Sequence, residues 1–209
     1  MKPEIILLGP IGSGKTTIAE LISMRTGLPR RSMDELRWKY YDEIGYDRDL
    51  AHQKHIEEGF WGLYRYWKPF EAYAVERLLN SFSECIFDLG GGQSVYEDAV
   101  LFQQVRDLLS PYSHVVLLIP SPDKKESIQI LHERNDYDSD AQREVNEYFI
   151  RHHSNYDLAK FIVYTKDKDP DQICNEVLRW VRSTGGPYSS DADTRQDELT
   201  STLIQKERS

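Results

Sequence analysis

Gly9-Pro10-Ile11-Gly12-Ser13-Gly14-Lys15-Thr16 is the stretch whose reading decides the fold. It follows the apolar run Ile5-Ile6-Leu7-Leu8 and leads into Thr17-Ile18-Ala19-Glu20-Leu21-Ile22, whose apolar residues fall at helical spacing. The order is therefore strand, glycine-rich loop, helix, with G-x-x-x-x-G-K-[ST] at the junction. Glycines let the backbone curl until several N–H groups converge on one anion, and the helix N-terminus adds partial positive charge. Gly9, Gly12, Ser13, Gly14, Lys15, Thr16 and Thr17 are the expected nucleotide-binding residues. Lys15 is placed to reach the β- and γ-phosphates, and the Thr16 hydroxyl to face Mg²⁺. A Gly- and Ser-rich turn ahead of a helix can arise without any ligand. The complete octapeptide in this context instead points to a nucleoside triphosphate.

Working outward, 209 residues with 39% hydrophobic content can bury one substantial core. The net charge of −9 argues against general binding to nucleic acid or an anionic membrane surface, both of which rely on basic patches. Cys85 and Cys174 stand far apart, match no metal or redox spacing, and read as small core residues. No signal peptide and no membrane-length apolar run is visible, so a reducing cytoplasm is the expected setting.

Ile5–Leu8, a segment starting at Leu28, Cys85–Phe87, His114–Ile119 and Phe161–Tyr164 read as five short apolar strands. Helices are expected over 15–25, closed by Gly27, then over 96–109, 123–134, about 142–156, and from Asp169 or Pro170 to 181. Strands alternating with helices predict a three-layer α/β fold, a five-stranded parallel sheet flanked by helices, within a domain spanning 1–184. Residues 35–83 are mostly helical and unusually aromatic, with breaks expected at Gly45, Gly59 and Pro69. Such a stripe is more often packing than a ligand box, yet so many Tyr and Trp, each with a polar handle, also suit a deep small-molecule pocket. Asp34 is placed at the carboxyl end of the second strand, where ligand-facing loops begin, which favours a ligand or base role over the simpler one of capping the helix that follows. Residues 185–209, rich in Ser, Thr and Asp, are expected to form a flexible tail.

The phosphate loop, Ser32-Met33-Asp34, the triplet Gly90-Gly91-Gly92 and a late Arg preceding a Tyr together resemble shikimate kinase and related small P-loop metabolite kinases. The resemblance spans roughly 4–182. It implies that Asp34 binds substrate hydroxyls beside the phosphate acceptor, and that Gly90, Gly91 and Gly92 bring backbone close to the same ring. The family's Phe-Arg-x-x-Glu pattern, whose Arg grips the substrate carboxylate, corresponds to Trp67-Lys68-Pro69-Phe70-Glu71, with Lys68 in the Arg position. Arg151, ahead of Asn155-Tyr156, is the candidate for a second carboxylate ligand. The segment from Thr165 to Pro170 resembles the adenine-holding loop, and 132–145 the lid, with Arg134 as its clamp.

Three departures stand out. Ser32 replaces an acid that helps to hold the Mg²⁺ water shell; Asp88, ending an apolar strand, could take over that work. Lys68 lacks the bidentate fork of arginine. The lid carries Glu133, Asp136, Asp138, Asp140 and Glu144 beside Arg134 and Arg143. Simpler roles exist for several candidates: Asp88 as a turn residue, the glycines as a tight turn, and Lys68, Arg134 and Arg151 as solvated helix charges. His52/His55 and His152/His153 lack the supporting ligands of a metal site. The expected activity is ATP-dependent phosphoryl transfer to a hydroxyl of a small metabolite, shikimate or a related hydroxy acid or cyclitol. Lys15, Asp34 and Arg134 are its catalytic candidates, with Thr16 and Asp88 around Mg²⁺. The competing expectation is a non-catalytic nucleotide-binding partner protein that retains the loop.

Overall fold

The computed structural model describes residues 2–137 and 139–186. The chain runs β1 (Lys2–Leu8), α1 (Lys15–Thr26), β2 (Arg30–Ser32), α2 (Met33–Glu43), α3 (Arg48–Ser81) and β3 (Ile86–Asp88). It continues through α4 (Ala99–Leu109), β4 (Tyr112–Ile119), α5 (Lys124–Arg134), α6 (Asp140–Arg151), α7 (Ser154–Leu158), β5 (Phe161–Tyr164) and α8 (Pro170–Ser183). All strand pairings are parallel, in the order β2-β3-β1-β4-β5. The chain moves out from β1 to β2, returns to β3, then crosses β1 to reach β4. That reversal beside β1 places a crevice at its carboxyl end, where the phosphate loop begins.

Alternation along β1 builds two cores. Ile5 and Leu7 pack with Ile18, Ile22, Val116, Val163 and Val177, under α1 and α8. Ile6 and Leu8 face Phe87, Val75, Leu78 and Val115, under α3 and its neighbours. All four β1 residues are wholly buried, as expected for a strand covered on both faces. Gly27 ends α1 in the left-handed conformation, φ 74°, its N–H donating to Ser23 O. Asp169 opens α8 with a full capping box to Gln172, and Pro170 takes the first helical turn.

Several boundaries differ from expectation. Asp34 is not at the end of a strand: β2 stops at Ser32, and Asp34 lies in the first turn of α2. The expected 142–156 helix is two helices, interrupted at His152 and His153. Gly59 breaks the long helical stretch, with φ 65° and ψ −162°. Pro69 does not. Pro69 and Arg65 are both exposed on α3, and Pro69, having no N–H, leaves the Arg65 carbonyl without its helical donor. The expected tail lies outside the described residues except for Gly185 and Gly186, as does Asp138 of the lid segment. Cys85 and Cys174 are free and buried. Among the described residues no helix is long and apolar enough to cross a membrane.

Candidate active site

The phosphate loop leaves β1 through backbone that only glycine tolerates at two key points. Gly9 has φ 147°, and a β-carbon there would come 2.4 Å from Leu118 O on β4. Gly14, the residue before α1, is left-handed at φ 90°. The loop thereby turns into α1 with Lys15 folded over it, its Nζ donating to Gly9 O at 2.9 Å and Pro10 O at 3.0 Å. Burial pulls the Lys15 pKa down, and the nearby carboxylates of Asp88 and Asp34 oppose that shift. Ser13 Oγ is buried and has no hydrogen-bond partner among the described residues. Gly12 lies exposed in the loop and Thr17 in the first turn of α1.

β3 delivers the acid. Asp88 is 4% exposed, and its Oδ2 accepts from Thr16 Oγ1 at 2.9 Å and from Arg30 Nη1 at 3.1 Å. Burial raises its pKa, while the Thr16 hydrogen bond and the charges of Lys15 and Arg30 pull the other way. Ser32 is in register with Asp88 on the adjacent strand, so the two positions that could carry the acid are neighbours. A hydroxyl and a carboxylate at 2.9 Å form an all-oxygen pair suited to a hard cation held mostly by phosphates. Among the described residues no cluster of three or more His, Cys, Asp or Glu could hold a metal ion unaided.

Beyond Asp88 the chain turns through Gly90–Gly92 against the phosphate loop. A β-carbon on Gly91 would come 2.8 Å from Ile11 Cγ1, and one on Gly90 would come 2.9 Å from Asp34 Oδ1. This close approach brings Ile11, Asp34, Gly91 and Gly92 around one cavity of about 350 Å³. Phe60, Trp67 and Phe149 form apolar walls, and Arg37, Glu71 and Gln93 add polar groups. The Asp34 side chain is 65% exposed, with Oδ1 3.8 Å from Arg37 Nη1.

The aromatic stripe divides between the two uses foreseen for it. Trp38, Tyr41, Tyr46 and Phe70 pack α2 on α3, with centroids 5.2 to 5.6 Å apart for the Trp38–Tyr41 and Tyr46–Phe70 pairs among others. Trp67 Nε1 donates to Tyr46 Oη at 2.9 Å, so its ring is fixed where it borders the cavity.

Two expected carboxylate ligands are elsewhere. Lys68 is buried, and its ammonium donates to Glu71 Oε2 at 2.5 Å and to Gly92 O and Val95 O at 2.9 Å each. It also lies 3.9 Å from the Tyr64 ring centroid. Burial lowers its pKa and Glu71 opposes the shift. This lysine braces the glycine turn from behind. Arg151 is exposed at the end of α6, 3.7 Å from Glu147, and does not line the cavity. The helix break at His152 and His153 leaves it on the outer surface. Arg134 is exposed at the end of α5; Asn135, the next residue, donates from Nδ2 to Ile11 O at 3.3 Å. Pro170 is exposed at the start of α8.

Sequence reading missed the polar partners of the loop. Asn146 on α6 is fully buried; its Nδ2 donates to Ile11 O at 3.0 Å, and its Oδ1 accepts from Ile11 N at 2.8 Å. Nothing near Asn146 in sequence announces this. Arg37 was findable, because it lies one helical turn after Asp34 and so shares its face.

A glycine-rich phosphate loop at the end of a central parallel strand, an acid on the neighbouring strand and an adjoining cavity of metabolite size define a P-loop phosphotransferase. The shikimate kinase family model matches residues 11–182. A shikimate kinase from Marinomonas sp. is 28% identical over 184 residues, covering 86% of this chain and 92% of that protein. Solved structures with the same fold include a shikimate kinase from Acinetobacter baumannii in complex with shikimate, at TM-score 0.62 and 18% identity, covering 88% of this chain and 96% of that one. Another is the shikimate kinase from Aquifex aeolicus, at TM-score 0.58 and 19% identity, covering 88% and 99%. The chain belongs to the shikimate kinase family. It is a small-molecule kinase, with ATP as phosphoryl donor and a hydroxyl as acceptor.

Proposed function

We propose that this chain phosphorylates shikimate, with the acceptor seated in the cavity between α2, α3 and the Gly90–Gly92 turn. The observation that carries the reading is the meeting of Ile11 and Gly91, which joins the phosphate loop to that cavity without intervening structure. A Marinomonas relative named shikimate kinase and an Acinetobacter structure holding shikimate support the choice of acceptor.

In this reading the nucleotide phosphates lie along Gly9–Thr17, with the N–H groups of the loop and Lys15 neutralising charge as it shifts toward the bridging oxygen. Thr16 and Asp88 suit Mg²⁺, which when bound with the nucleotide screens phosphate charge. Asp34 accepts the proton of the attacking hydroxyl; that oxygen bonds to the γ-phosphorus as the bond to the ADP oxygen breaks. Residues 132–145 serve as the lid, with Arg134 as a cation that can approach the phosphates, and Pro170 with its loop borders the base. The 35–83 region supplies the acceptor pocket, within a single domain over 1–184.

The test is ADP release from Mg·ATP with shikimate, hydroxy acids, cyclitols and sugar acids, for the natural chain and for Asp34→Asn. Shikimate-dependent turnover that falls by roughly 10²–10⁴-fold in Asp34→Asn is expected. Tight ATP binding with no turnover of any acceptor would overturn the reading in favour of a nucleotide-binding partner protein. Unchanged turnover in Asp34→Asn would remove that residue from the chemistry.

A further inference from the structure

An acid acceptor buried in a largely aromatic cavity needs a cation, and the family's usual cation is committed elsewhere in this chain. An ammonium has three N–H donors. Those of Lys68 go to Glu71 Oε2, Gly92 O and Val95 O, with nothing left to offer a ligand. Its charge is also already balanced by Glu71, which is equally buried. Arg151 stands outside.

Arg37 is the one cationic side chain among the described residues lining the 350 Å³ cavity. Its Nε is buried and has no hydrogen-bond partner among the described residues. Its closest carboxylate contact, to Asp34 Oδ1, is 3.8 Å, beyond hydrogen-bond reach. The guanidinium carbon lies 4.7 Å from the centroid of the Trp38 ring, and Trp38 is itself packed against Tyr41 and Trp67. That contact holds the planar group in place at the cavity wall at little entropic cost. A buried guanidinium N–H without an acceptor is unfavourable. The group is also a fork whose two parallel donors match the two oxygens of a carboxylate.

We propose that Arg37 is the specificity-determining residue that receives the acceptor's carboxylate, so that the anion subsite has moved from α3 to the first turns of α2. The proposal rests on the reading of this cavity as the acceptor site. Arg37 and Asp34 then form a two-point gauge on one helix face, three residues apart. The arginine takes the acid and the aspartate takes the hydroxyl, which selects hydroxylated acids over neutral polyols. Lys68 serves as a positioning residue that fixes the carbonyls of Gly92 and Val95.

The experiment compares shikimate with its carboxamide in the natural chain, Arg37→Gln and Arg37→Lys. Binding is followed by Trp fluorescence and turnover by ADP release, with thermal melting as the folding control. The natural chain is expected to favour the acid over the amide by roughly 100-fold, the worth of a charged bidentate pair. Arg37→Gln should erase that preference through acceptor KM while the ATP KM stays within about twofold. Arg37→Lys should recover part of it. An acid-to-amide ratio unchanged in Arg37→Gln overturns the proposal while leaving shikimate phosphorylation standing. If shikimate is not turned over but another hydroxy acid shows the same Arg37-dependent ratio, the substrate assignment fails and the proposal holds. Preference for a neutral acceptor, indifferent to Arg37→Gln, overturns both.

Discussion

Replacing Lys68 by methionine separates a ligand-binding lysine from a structural one. The side chains of Lys68 and Glu71 are 6% and 4% exposed, and their charged atoms are 2.5 Å apart. Methionine keeps most of the stem but removes the cation, leaving the Glu71 carboxylate buried without its counter-charge and Gly92 O and Val95 O without their donor. Breaking a buried pair from one side costs about 3–5 kcal/mol. At ~2–4 °C per kcal/mol for a chain of this size, melting should fall by roughly 6–20 °C. Urea unfolding at neutral pH should report the loss as a lower midpoint with unchanged slope. The double variant Lys68→Met/Glu71→Leu should recover most of it, because an apolar pair of similar volume avoids the desolvation cost. A Lys68→Met protein that loses under about 1 kcal/mol, the worth of an exposed ion pair, and shows only a raised acceptor KM would refute the burial argument. It would return Lys68 to the ligand.

Asp88→Asn should change the pH dependence of stability in a defined direction. The native carboxyl titrates above its ordinary value of 3.8, so in the window above 3.8 the folded chain holds more protons than the unfolded one. The stability this contributes is complete below 3.8 and is lost as pH rises through the native pKa. Melting temperatures measured from pH 3.5 upward should therefore shift in favour of the Asn variant as pH rises, while its Mg·ATP turnover drops by at least about tenfold. A difference flat with pH would contradict the burial-driven shift. Asn146→Ala should cost about 1–3 kcal/mol, since it removes the bonds to both backbone groups of Ile11 at 2.8 and 3.0 Å. It should also raise the ATP KM, and an unchanged ATP KM would show that the loop keeps its shape without this support.

What could be read from the chain beforehand was what is determined locally. The unbroken apolar run Ile5–Leu8 marks a strand covered on both faces, Gly27 and Asp169 mark helix ends, and the glycine spacing marks the loop, because each is satisfied by residues within a turn or two. The misplacements have a common physical cause. Asp34 was assigned to a strand end because Ser32 and Met33 fit a strand as well as a helix start; pairing with β3 stops at Ser32, and no local signal records that. Lys68 looked like a solvated or ligand-facing charge because its partners Gly92 and Val95 lie 24 and 27 residues away. Asn146 and Ile11 are 135 residues apart, and only the packing of α6 over the loop brings them together. Arg151 is a candidate through its place ahead of Asn155-Tyr156 in the family pattern, and the structure leaves it exposed at the end of α6.

The exit of β3 carries Asp88 and, two residues on, the Gly90–Gly92 turn. The end of the site that faces the donor and the end that faces the acceptor are thus set by one short covalent segment. Their separation is set by the backbone of that segment and not by the packing of α3. The helices α2 and α3 supply the walls, including Arg37, Phe60 and Trp67. Wall residues on α3 such as Phe60 and Trp67 can therefore change without moving the junction of loop and turn, whereas α2, which carries Asp34 and Arg37 on one face, couples the fit of an acceptor to the position of the proposed base.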